Sequence, residues 1–150
     1  MKIFVDADAL PNAVKNIIFR AAERMKLNLI LVANRYLHTP DIPNISMVTV
    51  AKNPDEADDY IVDNVRIGDL VITADISLAD RAINKKAYAL DPRGSLYTEA
   101  NIKSRLATRD LLTQLRNDGI IEGGPSSFNT KNVQQFANQL DRFLTKHKKI

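Results

Sequence analysis

Lys2-Ile3-Phe4-Val5-Asp6-Ala7-Asp8 opens the chain. It reads as a short apolar strand over residues 2–5 that runs into two acids. Residues 11–26 follow as a helix. Pro11 suits a first helical turn, and Val14, Ile17, Ile18, Ala21, Ala22 and Met25 recur at helical spacing. Residues 27–33 (Leu-Asn-Leu-Ile-Leu-Val-Ala) read as a mostly buried strand. A turn-rich stretch with Pro40 and Pro43 leads to a strand at 46–50, and Pro54 opens a helix over about 55–65. Gly68-Asp69 turns into a strand over Leu70–Thr73, a helix covers about 77–85, and a short strand lies near 87–90. Strands alternating with helices of this length predict a mostly parallel α/β sheet with helices on both faces.

After Asp91-Pro92-Arg93-Gly94 the pattern changes. Residues 98–118 read as one helix, with Thr98 as N-cap and Gly119 as its stop. Residues 120–128, with Gly123-Gly124-Pro125, read as a loop, and residues 130–147 as a second helix with Val133, Phe136, Ala137, Leu140, Phe143 and Leu144 on one face. The expectation is a single domain over 1–150, an α/β core over 1–92 carrying a helical C-terminal extension over 93–150.

A chain of 150 residues, 45% hydrophobic and 26% charged, is long enough to bury a core without staples. It has no cysteine, which excludes disulfides, zinc–thiolate sites, thiol nucleophiles and iron–sulfur clusters. Its two histidines, His38 and His147, lie far apart, against a His-rich metal site or a His-based triad. No apolar run reaches the ~18 residues of a membrane span. The first residues lack a signal-peptide layout, so a cytoplasmic protein is expected. Residues 1–92 carry 11 Lys+Arg against 13 Asp+Glu, whereas residues 93–150 carry 10 against 5. An acidic front and a basic rear suit an enzyme that holds a cation in one place and a polyanion in another. They equally describe a solvated helical surface with a basic tail of Lys146, Lys148 and Lys149.

Chemistry therefore falls to the carboxylates. Residues i and i+2 of an extended segment point to one side, so Asp6 and Asp8 converge at the carboxyl end of the first strand. In open α/β sheets ligands bind at those ends. Leu70–Thr73 runs into Ala74-Asp75, which puts Asp75 at another carboxyl end, and Asp80 follows five residues on. Helical spacing lets Asp55 neighbour Asp58 or Asp59. Facing carboxylates raise one another's pKa, and a divalent cation relieves them. Oxygen-only donors suit Mg²⁺ or Mn²⁺. Each acid has a plainer reading too: Asp8 and Asp75 as helix caps, Asp58 and Asp59 as solvated charges.

Asn34 and Arg35 follow the second strand and either touch substrate or shape a turn. Thr73 either bonds a metal-bound water or is an ordinary strand threonine. Arg93-Gly94 offers a guanidinium fork and an approachable backbone to a phosphate, or is a plain turn. Arg105 and Arg109, four apart on a helix, form a basic face for a nucleic-acid backbone, or pair with Glu99 or Asp110.

Several of these segments together resemble one family. Asp6-Ala7-Asp8-Ala9-Leu10-Pro11, Ala57-Asp58, Gly68-Asp69-Leu70-Val71-Ile72-Thr73-Ala74-Asp75, Leu78-Ala79, Pro92-Arg93-Gly94, Tyr97-Thr98 and Gly123-Gly124-Pro125 stand in the order of the YaiI/YqxD family of bacterial proteins. The resemblance runs from residue 2 to about residue 144. One departure is Leu10, where the family usually carries cysteine; the position is read as a buried one into which Leu10 packs. The family in turn resembles the PIN-like nucleases. That resemblance implies a Mg²⁺- or Mn²⁺-dependent cut of a phosphodiester, RNA being the expected partner. Asp6, Asp8, Asp58 and Asp75 would be its catalytic and metal-holding acids, with Asp80 a further metal candidate. Asn34, Arg35, Thr73, Arg93, Gly94, Arg105 and Arg109 are the expected substrate contacts. Two other classes stay open. One is a phosphatase resembling the haloacid-dehalogenase group, with Asp6 as nucleophile and Lys52 as the tempting lysine. The other is a non-catalytic RNA-binding protein.

Overall fold

Eleven elements succeed one another in the computed structural model, which describes residues 1–8, 10–53, 55–123 and 127–147. They are β1 (Lys2–Asp6), α1 (Asn12–Met25), β2 (Asn28–Ala33), β3 (Ile45–Thr49), α2 (Glu56–Asn64), β4 (Leu70–Ile72), α3 (Ile76–Asn84), β5 (Tyr88–Leu90), β6 (Leu96–Tyr97), α4 (Ile102–Asn117) and α5 (Thr130–His147). The six strands form one sheet in the order β3-β2-β1-β4-β5-β6. Its first four pairings are parallel, with Val5 opposite both Leu31 and Ile72, and only β6 runs antiparallel, against β5. The expected α/β architecture is thus the observed one.

Alternation along the strands sorts the core into two layers. Ile3, Val5, Leu29, Leu31, Leu70 and Ile72 face α1 and α5. Phe4, Val32 and Val71 face α2 and α3, where they meet Ile61, Val65, Leu78 and Ala82. The central strands are buried on both faces, which is why they read as unbroken apolar runs. α4 packs outside α3 through Ile102 and Leu106. Leu10 is buried in the α1–α5 layer, as a packing role requires.

Most ends shift by a residue from the sequence reading, and three differences have a specific cause. Residues 96–97 add an antiparallel edge strand that periodicity cannot reveal in two residues. α4 starts at Ile102 instead of residue 98. Thr98 and Asn101 bond each other reciprocally, the Asn101 Oδ1 accepting from the Thr98 N–H at 2.9 Å and the Thr98 Oγ1 from the Asn101 N–H at 3.2 Å, and this closes a turn ahead of the helix. α1 starts at Asn12 with Pro11 as its cap position. The stop at Gly119 stands: its φ of 74° lets the chain leave α4 in a left-handed turn. Residues 93–150 are built into the core as well as appended to it, since Phe136, Leu140, Phe143 and Leu144 of α5 lie within the α1–α5 layer. Ala9, Pro54, the Gly124-Pro125 pair and the Lys148-Lys149 tail lie outside the described residues.

Candidate functional site

Because β1 to β5 are parallel, their carboxyl ends form one edge. Asp6 ends β1, Asn34 follows β2, Lys52 lies just past β3, Thr73-Ala74-Asp75 follows β4, and Asp91 follows β5. Ladder pairing persists past the strand ends, with the Thr73 N–H donating to Leu90 O at 3.1 Å and the Ala7 N–H to Val32 O at 3.0 Å. The acids are therefore carried on backbone fixed on both sides.

Asp6 and Asp75 are joined through one hydroxyl. The buried Thr73 Oγ1 donates to Asp6 Oδ2 at 2.8 Å and accepts from the Asp75 N–H at 2.9 Å. Asp75 caps α3, its Oδ1 accepting from the Ser77 N–H at 2.8 Å and the Leu78 N–H at 3.4 Å. It thus has both roles that the sequence leaves open, a cap and a member of the acidic group. Among the described residues Asp8 caps no helix: both its oxygens accept from the Asn34 N–H, each at 3.0 Å, and tie the end of β1 to the end of β2. Its neighbour Arg35 points outward and is exposed.

Asp58, on the first turn of α2, reaches the same edge. Partial burial, then the charges of Asp75 and Asp6, push its carboxyl up from 3.8 to about 6, and it shares a hydrogen bond with Asp75. Asp6 is also raised, mainly by burial and further by Asp75 and Asp8, with the Thr73 hydroxyl pulling the other way. Asp6 therefore feels the charges of Asp75 and Asp8, and Asp58 those of Asp75 and Asp6. In front of Asp6, Asp8 and Asp58 lies an open cleft of about 320 Å³, completed by Asn34, Lys52 and Asp55. Lys52 and Asp55 owe their place to the loop leaving β3. The sequence marks Asp55 by its helical spacing to Asp58 and Lys52 as the lysine of the phosphatase reading, but only the fold puts both in this cleft.

Among the described residues, no three His, Asp or Glu side chains stand as a ready-made metal cage. The donors nevertheless fit a hard divalent ion in kind. They are oxygen only, mutually repelling, and open to a cleft; Mg²⁺ needs just one or two protein carboxylates, filling its other positions with water and phosphate oxygens.

Other expected site residues stand apart. Asp80 faces α4, where Lys103 Nζ holds it at 2.7 Å. Asp59 pairs with Arg81 at 3.0 Å on the exposed side of α2. Arg93 and Gly94 turn toward α5. The Arg93 guanidinium lies 5.8 Å from the Phe128 ring centroid and 3.5 Å from Asn132, and the Arg93 backbone N–H donates to Asp91 Oδ1 at 2.6 Å. A Cβ on Gly94 would stand 2.7 Å from the Gln135 backbone, so this glycine, at φ 94°, is explained by packing against α5. Arg105 and Arg109 diverge: Arg105 covers the Tyr97 ring at 5.4 Å, while Arg109 Nη2 donates to Ser77 Oγ at 2.9 Å, next to the Asp75 cap. Arg109 also pairs with Asp110, and Glu99 takes Lys86.

A family model described as "Uncharacterized BCR, YaiI/YqxD family" matches residues 4–146. The chain belongs to the YaiI/YqxD family. It is 54% identical to a "UPF0178 protein" of Hahella chejuensis over 99% of both chains. It is 51% identical to one of Shewanella halifaxensis over 99% of both, and 52% identical to one of Dechloromonas aromatica over 97% of both. No solved structure matches it. The family span takes in every acid of the group, from Asp6 at the end of β1 to Asp75 at the start of α3. No helix among the described residues is long and apolar enough to cross a membrane.

Proposed function

We propose that this YaiI/YqxD protein is a metal-dependent nuclease of the PIN-like kind that hydrolyses phosphodiesters in RNA. The observation that carries this reading is the convergence of Asp6, Asp58 and Asp75, from three separate elements, on one edge of the sheet, where burial and the charge of Asp75 raise the proton affinity of Asp6 and Asp58. That repulsion lowers stability unless a cation or a proton offsets it. Asp6, Asp8, Asp58 and Asp75 are the side chains that would hold Mg²⁺ or Mn²⁺. When bound, such an ion neutralises charge on the phosphate and activates water.

The chain's own residues supply orientation. The Thr73 hydroxyl holds one oxygen of Asp6, a residue that lines the cleft. The α3 cap fixes Asp75 through its Oδ1. The Asn34 N–H keeps Asp8 facing β2, on the rim of the cleft. Asp58 carries a proton on its carboxyl below about pH 6 and sheds it above, which leaves it an acceptor for a proton near neutrality.

The test is cleavage of labelled single-stranded RNA in Mn²⁺ by the unsubstituted protein and by Asp75→Asn. Asparagine keeps the helix cap and removes the charge. The expected result is cut RNA with the first and none with the second. Equal cleavage by both, or none by either across several RNA sequences, overturns the reading. One observation favours the phosphatase alternative, namely Lys52 in the cleft beside Asp6. Trapping of a beryllofluoride adduct on Asp6, read by mass spectrometry, would decide for it. RNA binding that survives an Asp6→Asn, Asp75→Asn double variant, without turnover, would instead mark a non-catalytic binder.

A further inference from the structure

Two cations flank the acidic group on opposite sides, and they come from elements that the topology keeps apart. Lys52 follows β3 at the outer side of the sheet and lines the cleft with Asp6, Asp8 and Asp58. It is exposed and, among the described residues, makes no ion pair. Arg109 comes from α4, beyond α3 on the other side. Its Nη2 sits 2.9 Å from Ser77 Oγ, and the Ser77 N–H donates to Asp75 Oδ1 at 2.8 Å. Between them the strand ends fall in the order β3, β2, β1, β4. Three inter-strand steps separate the outer two, roughly 14 Å at ordinary sheet spacing.

We propose that the substrate is an internal stretch of a single nucleic-acid strand, laid across the carboxyl edge from Lys52 to Arg109, with one backbone phosphate on each cation and the bond to be cut over the acids between. The inference rests on the nuclease reading and narrows it to cleavage within a chain. A phosphomonoester has one phosphate, and one phosphate does not bridge a separation of this size. A polyanion does, and the acids in the middle repel every phosphate except one whose charge a cation offsets. The two cations therefore also set register: they attract the flanking phosphates and leave the central one for the acidic group. Lysine fits an exposed point contact, whereas the exposed guanidinium of Arg109 is oriented by Ser77 at Nη2 and by Asp110 at Nε, which leaves Nη1 for a phosphate.

The experiment measures fluorescence anisotropy of labelled single-stranded RNA over a salt series in EDTA, where the strand stays intact. It compares the unsubstituted protein with Lys52→Gln, Arg109→Gln, Arg109→Lys and, as a remote control on α5, Arg142→Gln. Melting curves confirm that each exposed-site variant is folded. Each neutralised contact is expected to lower the slope of log K against log salt by about 0.7 to 1. The Lys52→Gln, Arg109→Gln double variant should lose both steps, Arg109→Lys should restore its own, and Arg142→Gln should change nothing. Inorganic phosphate should compete only weakly. No measurable binding, slopes indifferent to both residues, or phosphate competing as well as the oligonucleotide would each overturn the proposal. Binding that needs both cations without any cleavage in Mn²⁺ keeps the strand path and removes the nuclease. Cleavage with unaltered slopes removes the path and leaves the nuclease.

Discussion

Replacing Asp58 with asparagine should make the protein more stable at neutral and alkaline pH. In metal-free buffer the folded chain holds this carboxyl at about 6 against 3.8 for a free side chain. Between those values the folded protein keeps a proton that the unfolded chain has shed, so folding grows less favourable as pH rises through that window. Below pH 3.8 the group has no cost; above pH 6 the cost is complete. Unscreened, the difference corresponds to about 3 kcal/mol. Asp58 is only partly buried, so solvent screening leaves about 1 kcal/mol. Asparagine removes the charge and offers an N–H to Asp75. Asp58→Asn should therefore melt about 2–4 °C above the unsubstituted protein at pH 8, and the gap should close by pH 4. Calorimetric scans in EDTA from pH 4 to pH 8 measure this. A variant that melts at or below the unsubstituted protein at pH 8, or a gap that ignores pH, would show that the acids do not confront one another as described. Mg²⁺ provides the companion arm: it should raise the melting temperature of the unsubstituted protein at pH 8 and close the gap from the other side.

Three further outcomes follow from single contacts. Thr73→Val removes the hydroxyl that joins Asp6 to the Asp75 backbone; urea unfolding should show a loss of about 1–3 kcal/mol, and NMR titration should place Asp6 higher still. Asp75→Ala should cost about 1 kcal/mol through loss of the α3 cap, whereas Asp75→Asn should keep most of that stability; equal melting of the two variants would refute the cap. Gly94→Ala should destabilise by about 1–3 kcal/mol, because the new Cβ meets α5 backbone at 2.7 Å and φ is 94°; an unchanged urea midpoint would contradict that packing.

How much of this was legible in the chain depended on the range over which each residue acts. The strands at 2–5, 27–33 and 70–73 and the helices starting near 11, 55, 77 and 130 announce themselves through local periodicity, and the structure has them within a few residues. β6 did not, since two residues carry no period and its partner β5 alone defines it. The start of α4 was displaced by a threonine whose hydroxyl bonds Asn101 in a turn ahead of the helix. Asp6 and Asp75 were legible as strand-end acids. Asp8 carried the same sign, yet its direction toward Asn34 was set by pairing of β1 with β2. Asp80, a further candidate five residues past Asp75, is taken instead by Lys103, which is distant in sequence.

From the amino-acid order alone came the class of fold, the oxygen-only character of any site, and the strand ends at which it would lie. These follow from side-chain period and donor chemistry, which act within a few residues. Folding alone chose which acids share an edge, which arginine borders them and which lysine enters the cleft. The strand order β3-β2-β1-β4 puts residues 6, 52 and 75 at one edge, and electrostatic repulsion depends on distance through space, to which separation along the chain gives no guide.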